Sequence, residues 1–433
     1  PQYTTDGKDI DGGSDYIQRN AMVLVELISE INAQKVGNQE LVVLGPSMGG
    51  LIGRYALAYM EQNSLPTETR LYISFDSPHR GANIPISLQY LINYLAQELG
   101  DPDAIAIVDG VLNSPAAKEM LYDHLLGHIL SGSPTQQDPN LLLPIGAPDF
   151  RDAFQAELDA LGFAQQVRNV TMVNGSGLGT STGTAGMQVV DTNLEIATFT
   201  TANVQLHFTP LAGQTNNVTF FETFFVGIPV DSYSADAEAE NFSDGVDASP
   251  GGTANISAAL GGGGSTNPVI VEFIAALDQD DYSFIPVISA LAIDNEDDWF
   301  ATPDIGGIHT SPFVNTYIPD VNEPHVTVTQ ASAQFALDEI RNGVLGIGNL
   351  NIVDRYQLVQ NPVSNTIQLQ LDSSANYSDV QLSIFSMTGQ QLMNETLSQP
   401  SNTITLEHTL DSGIYVLAIS DANGSISMKF LVQ

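Results

Sequence analysis

Residues 41–52 read Leu41-Val42-Val43-Leu44-Gly45-Pro46-Ser47-Met48-Gly49-Gly50-Leu51-Ile52. Four consecutive apolar residues form a buried-strand pattern, glycines interrupt it, and helical spacing resumes from Leu51 to Met60. Strand, tight turn and helix in that order put Ser47, the centre of a G-x-S-x-G motif, on a sharp elbow with its Oγ clear of the sheet. Small flanking residues are required because larger ones would collide with the neighbouring strand and helix. The backbone N–H of Met48, at the start of the helix, is then placed to donate to a developing oxyanion.

Outward from this elbow the chain alternates between helix and strand patterns. Ile17, Ala21, Leu24, Leu27, Ile28 and Ile31 recur at helical spacing, with Ser14 or Asp15 available as N-cap. Arg70 to Phe75 reads as the next strand, completing a βαβ unit. Residues 86–162 read mostly as helices covering the sheet, and Val167 to Asn174 as a further core strand. From 186 to 230, Val, Leu and Phe alternate with Thr, Asn and Gln, as in half-buried antiparallel strands. Residues 231–267 are rich in Gly, Ser, Ala and acid, including Gly261 to Gly264, and predict loops. After a helix pattern at Ala331 to Arg341, composition shifts again and strands with Asn/Gly turns follow. The fold class is therefore α/β: a parallel-sheet domain over 1–342 with a helical cap (about 86–162) and a β-rich insertion (about 186–267), a linker at 343–352, and a C-terminal β-sandwich over 353–433.

Composition narrows the function. The 433 residues suffice for two or three domains, and 43% hydrophobic against 14% charged residues is globular composition. Twelve basic against 50 acidic residues give a net charge of -38, a surface that repels nucleic-acid phosphates and anionic membranes but is indifferent to neutral lipid. Residues 350–433 hold two basic and seven acidic residues, so about -33 of that charge belongs to the larger part. The absence of cysteine removes disulfides, thiolate nucleophiles and Cys-metal centres. No apolar run is long enough for a transmembrane segment. The chain starts Pro1-Gln2-Tyr3 with neither Met nor signal peptide, so a truncated or processed chain is expected. Acid clusters around Asp278 and Glu296 lack EF-hand spacing and read as solvated loops; no metal and no cofactor are expected.

Leu41 to Tyr55, followed by Ser74-Phe75-Asp76-Ser77-Pro78-His79-Arg80-Gly81-Ala82, resembles the lipase and esterase branch of the α/β-hydrolase superfamily, over roughly residues 10–340. The resemblance implies cleavage of carboxylic or lipid esters through an acyl-enzyme on Ser47. A serine needs a neutral imidazole to take its proton. His325, in Asn322-Glu323-Pro324-His325 just before the last helix, matches the family's placement of that base. His79 sits in a turn that usually shapes the loop, His124, His128, His207 and His408 fall in ordinary structural contexts, and His309 is the reserve. The triad acid is Asp76, at the end of the strand after the elbow, or alternatively Asp281 or Asp280 ahead of Pro286. The second oxyanion donor of this fold comes from upstream of the residues present, so the first strands and half the oxyanion hole are expected to be missing and the chain alone to be poorly stable or inactive. A rival reading is an inactive hydrolase scaffold used in surface binding or adhesion.

Residues 353–433 contain Gln360-Asn361-Pro362-Val363, a run from Leu382 to Leu392 with a Thr388-Gly389 turn, Leu410-Asp411-Ser412-Gly413-Ile414-Tyr415, and Met428 to Val432. This set resembles the C-terminal sorting domain of type IX secretion in Bacteroidota. The resemblance implies that the type IX machinery is a partner, and that the protein is secreted or displayed at the cell surface.

Overall fold

The computed structural model describes residues 2–5, 7–260, 267–342, 356–371, 379–386, 390–398, 402–421 and 424–433. The predicted loop at Gly261 to Gly264, the linker at 343–352 and the Thr388-Gly389 turn lie outside the described residues. Contacts divide the chain into Pro1–Arg341 and Asn342–Gln433.

The first unit opens with a hairpin of β1 (Gln2–Thr5) and β2 (Lys8–Asp11), followed by α1 (Ile17–Gln34). Neither Ser14 nor Asp15 caps α1. The chain enters through Tyr16, the Ile17 N–H is taken by the Glu119 carboxylate at 2.9 Å, and Asp15 pairs with Arg19 instead. A cap supplied from 102 residues away leaves no trace in local sequence.

The elbow region folds as read, into β3 (Leu41–Pro46), α2 (Met48–Gln62) and β4 (Thr69–Phe75). Beyond it come α3 (Ile86–Gln97), α4 (Pro102–Ile107) with a π-helical extension to Leu112, α5 (Pro115–Met120) and α6 (Arg151–Leu161). The predicted cap is thus helical at its two ends only. Between Leu121 and Phe150 the backbone forms turns, bridges and one short 3-10 segment, because Pro134, Pro139, Pro144 and Pro148 deny a helix its N–H donors.

Strand β5 (Arg168–Met172) follows, and then four antiparallel strands: β6 (Gln188–Ala197), β7 (Thr200–His207), β8 (Thr215–Phe225) and β9 (Ile228–Glu238). β9 carries the sheet eight residues past the predicted end at 230. Its buried residues Tyr233, Ala235 and Ala237 alternate with acids and serines, a strand pattern masked by loop-like composition. The chain continues through β10 (Gly251–Asn255), α7 (Ile256–Ala259), α8 (Pro268–Ala275), β11 (Asp281–Pro286), α9 (Val287–Ala290), β12 (Asn315–Tyr317) and α10 (Gln330–Asn342).

β12, β5, β4 and β3 hydrogen-bond in that order as a parallel sheet. Its Leu71, Ile73, Phe75 and Val170 pack with Phe335 and Ile340 of α10. On the opposite face Tyr72 packs with Ile28 of α1 and with Leu57 and Met60 of α2. Helices on both faces explain why Leu41 to Leu44 of β3 form an unbroken apolar run and why β4 is buried at every position but Arg70. β10 and β11 pair as a separate antiparallel ribbon, from Gly251 opposite Pro286 to Asn255 opposite Asp281.

The second unit contains β13 (Tyr356–Leu358), β14 (Thr366–Leu371), β15 (Val380–Ser386), β16 (Gln391–Leu397), β17 (Thr403–Glu407), β18 (Gly413–Asp421) and β19 (Gly424–Val432). They form two antiparallel sheets, β13-β14-β17 and β16-β15-β18-β19. Ile367, Leu369 and Ile404 of the first share one buried cluster with Leu382, Leu417 and Phe430 of the second. No helix among the described residues is long and apolar enough to cross a membrane.

Candidate active site

Ser47 stands between the end of β3 and the first residue of α2, with φ 53 and ψ -129. Positive φ is strained for a residue with a Cβ, and the surroundings enforce it. The Ser47 N–H donates to Phe75 O on β4 at 2.8 Å. A Cβ on Gly45 would stand 2.3 Å from Gly49 O, and one on Gly50 would stand 1.9 Å from Ser77 Oγ. Gly45 and Gly50 are therefore demanded by space, and the strained torsion is carried by Ser47 itself. Met48 begins α2, so its N–H is among those an α-helix leaves without an internal partner.

His325 lies in the loop between β12 and α10, 15% exposed at the side chain. Its Nε2 is 2.8 Å from Ser47 Oγ and its Nδ1 is 2.6 Å from Asp76 Oδ2. Carboxylates accept only, so Nδ1 carries the proton and donates to Asp76, leaving Nε2 to accept from the Ser47 hydroxyl. Asp76 is fully buried, directly after β4, with φ 47. Its N–H donates to Met172 O, and its Oδ1 accepts from the Asn174 N–H at 3.0 Å. Both carboxylate oxygens are thereby held by groups on other elements.

The loop that presents His325 is tied down as well. The His325 N–H donates to Thr253 O on the ribbon, and the Thr253 N–H donates to Glu323 O. Asn174 Nδ2 donates to Glu323 Oε2 and to Thr327 O. The Phe284 ring meets the imidazole edge-on, with centroids 4.9 Å apart. Sequence reasoning missed Asn174, Thr253 and Phe284. The Asn-Gly step after a core strand was the one available hint for Asn174.

The remaining candidates lie elsewhere. Asp280 accepts from the Ser257 N–H and hydroxyl, and Asp281 accepts from Asn255, at the ribbon end remote from His325. His309 Nδ1 accepts from the Asp304 N–H, and its Nε2 is 3.3 Å from Glu296. His79 is fully buried between Phe163 and Phe313, with Nε2 on Ser74 Oγ. Burial holds its pKa well below the usual 6.5 and so keeps it neutral. It lines a cavity of about 680 Å³ whose walls include none of Ser47, Asp76 or His325. His124 and His128 are buried too, desolvated down to about 4. Neither stands in a helix as expected: His124 caps the 3-10 turn and His128 follows it.

Residues 13–100 match the family described as "Putative serine esterase (DUF676)". That stretch includes Ser47 and Asp76 and ends well before His325. Residues 361–433 match the "Secretion system C-terminal sorting domain". No curated protein matches the chain. Among solved structures, the lipase BlEst2 of Bacillus licheniformis in its mature form is similar at 15% identity and TM-score 0.21, over 40% of this chain and 55% of that one. Its propeptide form is similar at 11% identity and TM-score 0.24, over 98% and 86%. The chain thus spans about 55% of the length of the mature lipase. A stretch similar to a serine-esterase family is joined here to a sorting tail, and the tail marks the protein for type IX secretion, to the cell surface or beyond.

Proposed function

We propose that this protein is a secreted serine hydrolase that cleaves carboxylic esters through an acyl-enzyme, with Ser47 as nucleophile, His325 as base and Asp76 as the acid that orients it. One observation carries the reading: the unbroken hydrogen-bonded line from Ser47 Oγ through His325 to Asp76. As Ser47 Oγ attacks the ester carbonyl, its proton passes to His325 Nε2, and the buried Asp76 carboxylate stabilises the resulting imidazolium. The Met48 N–H donates to the carbonyl oxygen as it gains charge. Collapse of the tetrahedral species expels the alcohol, which takes the proton from Nε2. Water then repeats the sequence on the acyl-serine, returning His325 to neutrality and releasing the acid.

In this reading residues 1–342 form the hydrolase domain, 86–162 cover the acyl pocket, 343–352 link the units, and 353–433 form the sorting domain recognised by the secretion machinery. The test is fluorophosphonate labelling of the full chain beside Ser47→Ala, with the modified residue located by mass spectrometry. Label on Ser47 that is lost in His325→Ala is expected. A folded protein that takes no label, and turns over no ester, would overturn the reading in favour of an inactive scaffold.

A further inference from the structure

Two hairpin turns of the inserted sheet depart from ordinary turn chemistry in the same way. Thr198-Phe199 joins β6 to β7, and Val226-Gly227 joins β8 to β9. Phe199 and Val226 adopt φ of 64 and 50, in a region that two-residue hairpins normally give to Asn, Asp or Gly. For β-branched Val226 the strain is marked. The Val226 N–H donates to Phe199 O at 2.9 Å, so the two turns form one rim. Phe199, Val226 and Ile228 are 74%, 64% and 65% exposed, and Phe225 and Val230 are also more than half exposed. Apolar residues scattered singly over a surface need no explanation, but five on two joined turns make a patch that does. Strained backbone holding apolar side chains in water points to a use for them.

Helix α8 belongs to the same end of the sheet. Past its C-terminus the Asp278 N–H donates to Val189 O near the start of β6, while Glu272 within it accepts from the Glu195 N–H. Its amino-terminal turn therefore lies toward Phe199. Only one of its eight residues is charged, and Val271 is half exposed. α7 and α8 occupy the far end of the β10–β11 ribbon, whose near end holds Gly252 against Asp76 and Phe284 against His325. α8 thus runs from the ribbon's side of the sheet, at Val189, toward the apolar rim at the other end of β6.

Charge selects what the rim meets. Between Arg168 and Arg341 the sequence contains no lysine or arginine, and the charged neighbours of the rim, Glu195, Asp231 and Glu272, are acidic. An anionic surface would find repulsion there and no cation to hold it, whereas an uncharged apolar phase would take up the rim by area alone. We propose that this rim docks the protein on the surface of an uncharged lipid phase, and that the substrates are water-insoluble neutral esters presented there. The substrate part rests on the ester-hydrolase reading; the docking part does not.

Full-length Ser47→Ala protein, which consumes no lipid, is mixed with a neutral triacylglycerol emulsion or with the same emulsion doped with an anionic lipid, and co-flotation is measured. Strong flotation on the neutral emulsion is expected, weakened by anionic lipid. Phe199→Ser and Ile228→Ser should each reduce it about fivefold or more. In the Ser47 background the same two changes should leave kcat/KM on a water-soluble short-chain ester unaltered, which shows that the variants fold. Flotation indifferent to both substitutions, or equal on anionic droplets, would overturn the proposal. So would a dimer in sedimentation that the substitutions dissociate while no form of the protein floats. If the Ser47→Ala protein floats but the parent hydrolyses nothing, the hydrolase reading falls and docking stands; hydrolysis without flotation has the opposite meaning.

Discussion

Gly252 is pressed against Asp76 so closely that a Cβ on it would stand 2.0 Å from Asp76 Oδ2, the oxygen that receives the His325 N–H. The ribbon backbone thus forms one wall of the carboxylate's seat. Gly252→Ala must push either Asp76 or the ribbon away. Because misplacing a catalytic group by about 1 Å can cost roughly 100-fold, kcat/KM on a soluble ester should fall by about that factor while the protein still folds. Steady-state kinetics with circular dichroism checks this, and a variant within threefold of the parent would contradict it.

Asp76→Asn should lower kcat by roughly 10³- to 10⁴-fold, since an amide at that position favours the wrong imidazole tautomer. Asp281→Asn should change kcat by less than about twofold, because Asp281 pairs with Asn255 at the other end of the ribbon. Measured side by side, the two variants separate the rival acids; a larger loss in Asp281→Asn would reverse the assignment.

Gly45→Ala and Gly50→Ala place a methyl 2.3 Å from backbone and 1.9 Å from a buried hydroxyl. Each should destabilise the protein by about 2–3 kcal/mol or more, read as a lower melting temperature. Gly110, where an added Cβ meets nothing within 4 Å, supplies the control: Gly110→Ala should melt at or slightly above the parent temperature. Equal melting of all three would discredit the packing argument.

Glu119 caps α1 from a buried position, and desolvation pushes its pKa up to about 7 against the opposing hydrogen bond from the Ile17 N–H. A raised pKa means that the folded state holds the proton more tightly than the unfolded state. Its contribution is therefore full below about 4.5 and is lost as pH rises toward 7, with a slope of at most about 1.4 kcal/mol per pH unit. Buried Asp123 and Asp247, also shifted upward by desolvation, act in the same direction. Glu119→Gln keeps an acceptor for Ile17 but no longer titrates, so denaturant melts from pH 4.5 to 7.5 should show a shallower decline than in the parent. An unchanged slope would remove Glu119 as its source.

The sequence disclosed the parts of this site that obey local rules. Gly45-Pro46-Ser47-Met48-Gly49 closes its strand and opens a helix, so local pattern implies the elbow, whereas His325 was singled out only through the family resemblance, and the fold brings it to Ser47. The choice between Asp76 and Asp280 or Asp281 was not legible, since all three stand at one end of a strand and only the fold brings one to the imidazole. Asn174, Thr253 and Phe284 were invisible for the same reason: their work is to hold a neighbour distant in sequence. Where composition misled, as at residues 231–238, the strand looked like loop because its buried positions after Tyr233 are Ala235 and Ala237, not Val or Ile, and acids and serines stand between them.

The hydrogen bonds at the two imidazole nitrogens span 278 and 249 residues, with the inserted sheet and the ribbon threaded between. The elbow itself is assembled from residues 41–75 and needs no such reach. A nascent or half-folded chain therefore carries a bare serine hydroxyl, inert at neutral pH, and gains its base only after the slow long-range contacts have closed. If Ser47 and His325 act as proposed, the activity is gained only when these long-range contacts close and is lost when the His325 loop detaches, so an incomplete chain would attack no ester.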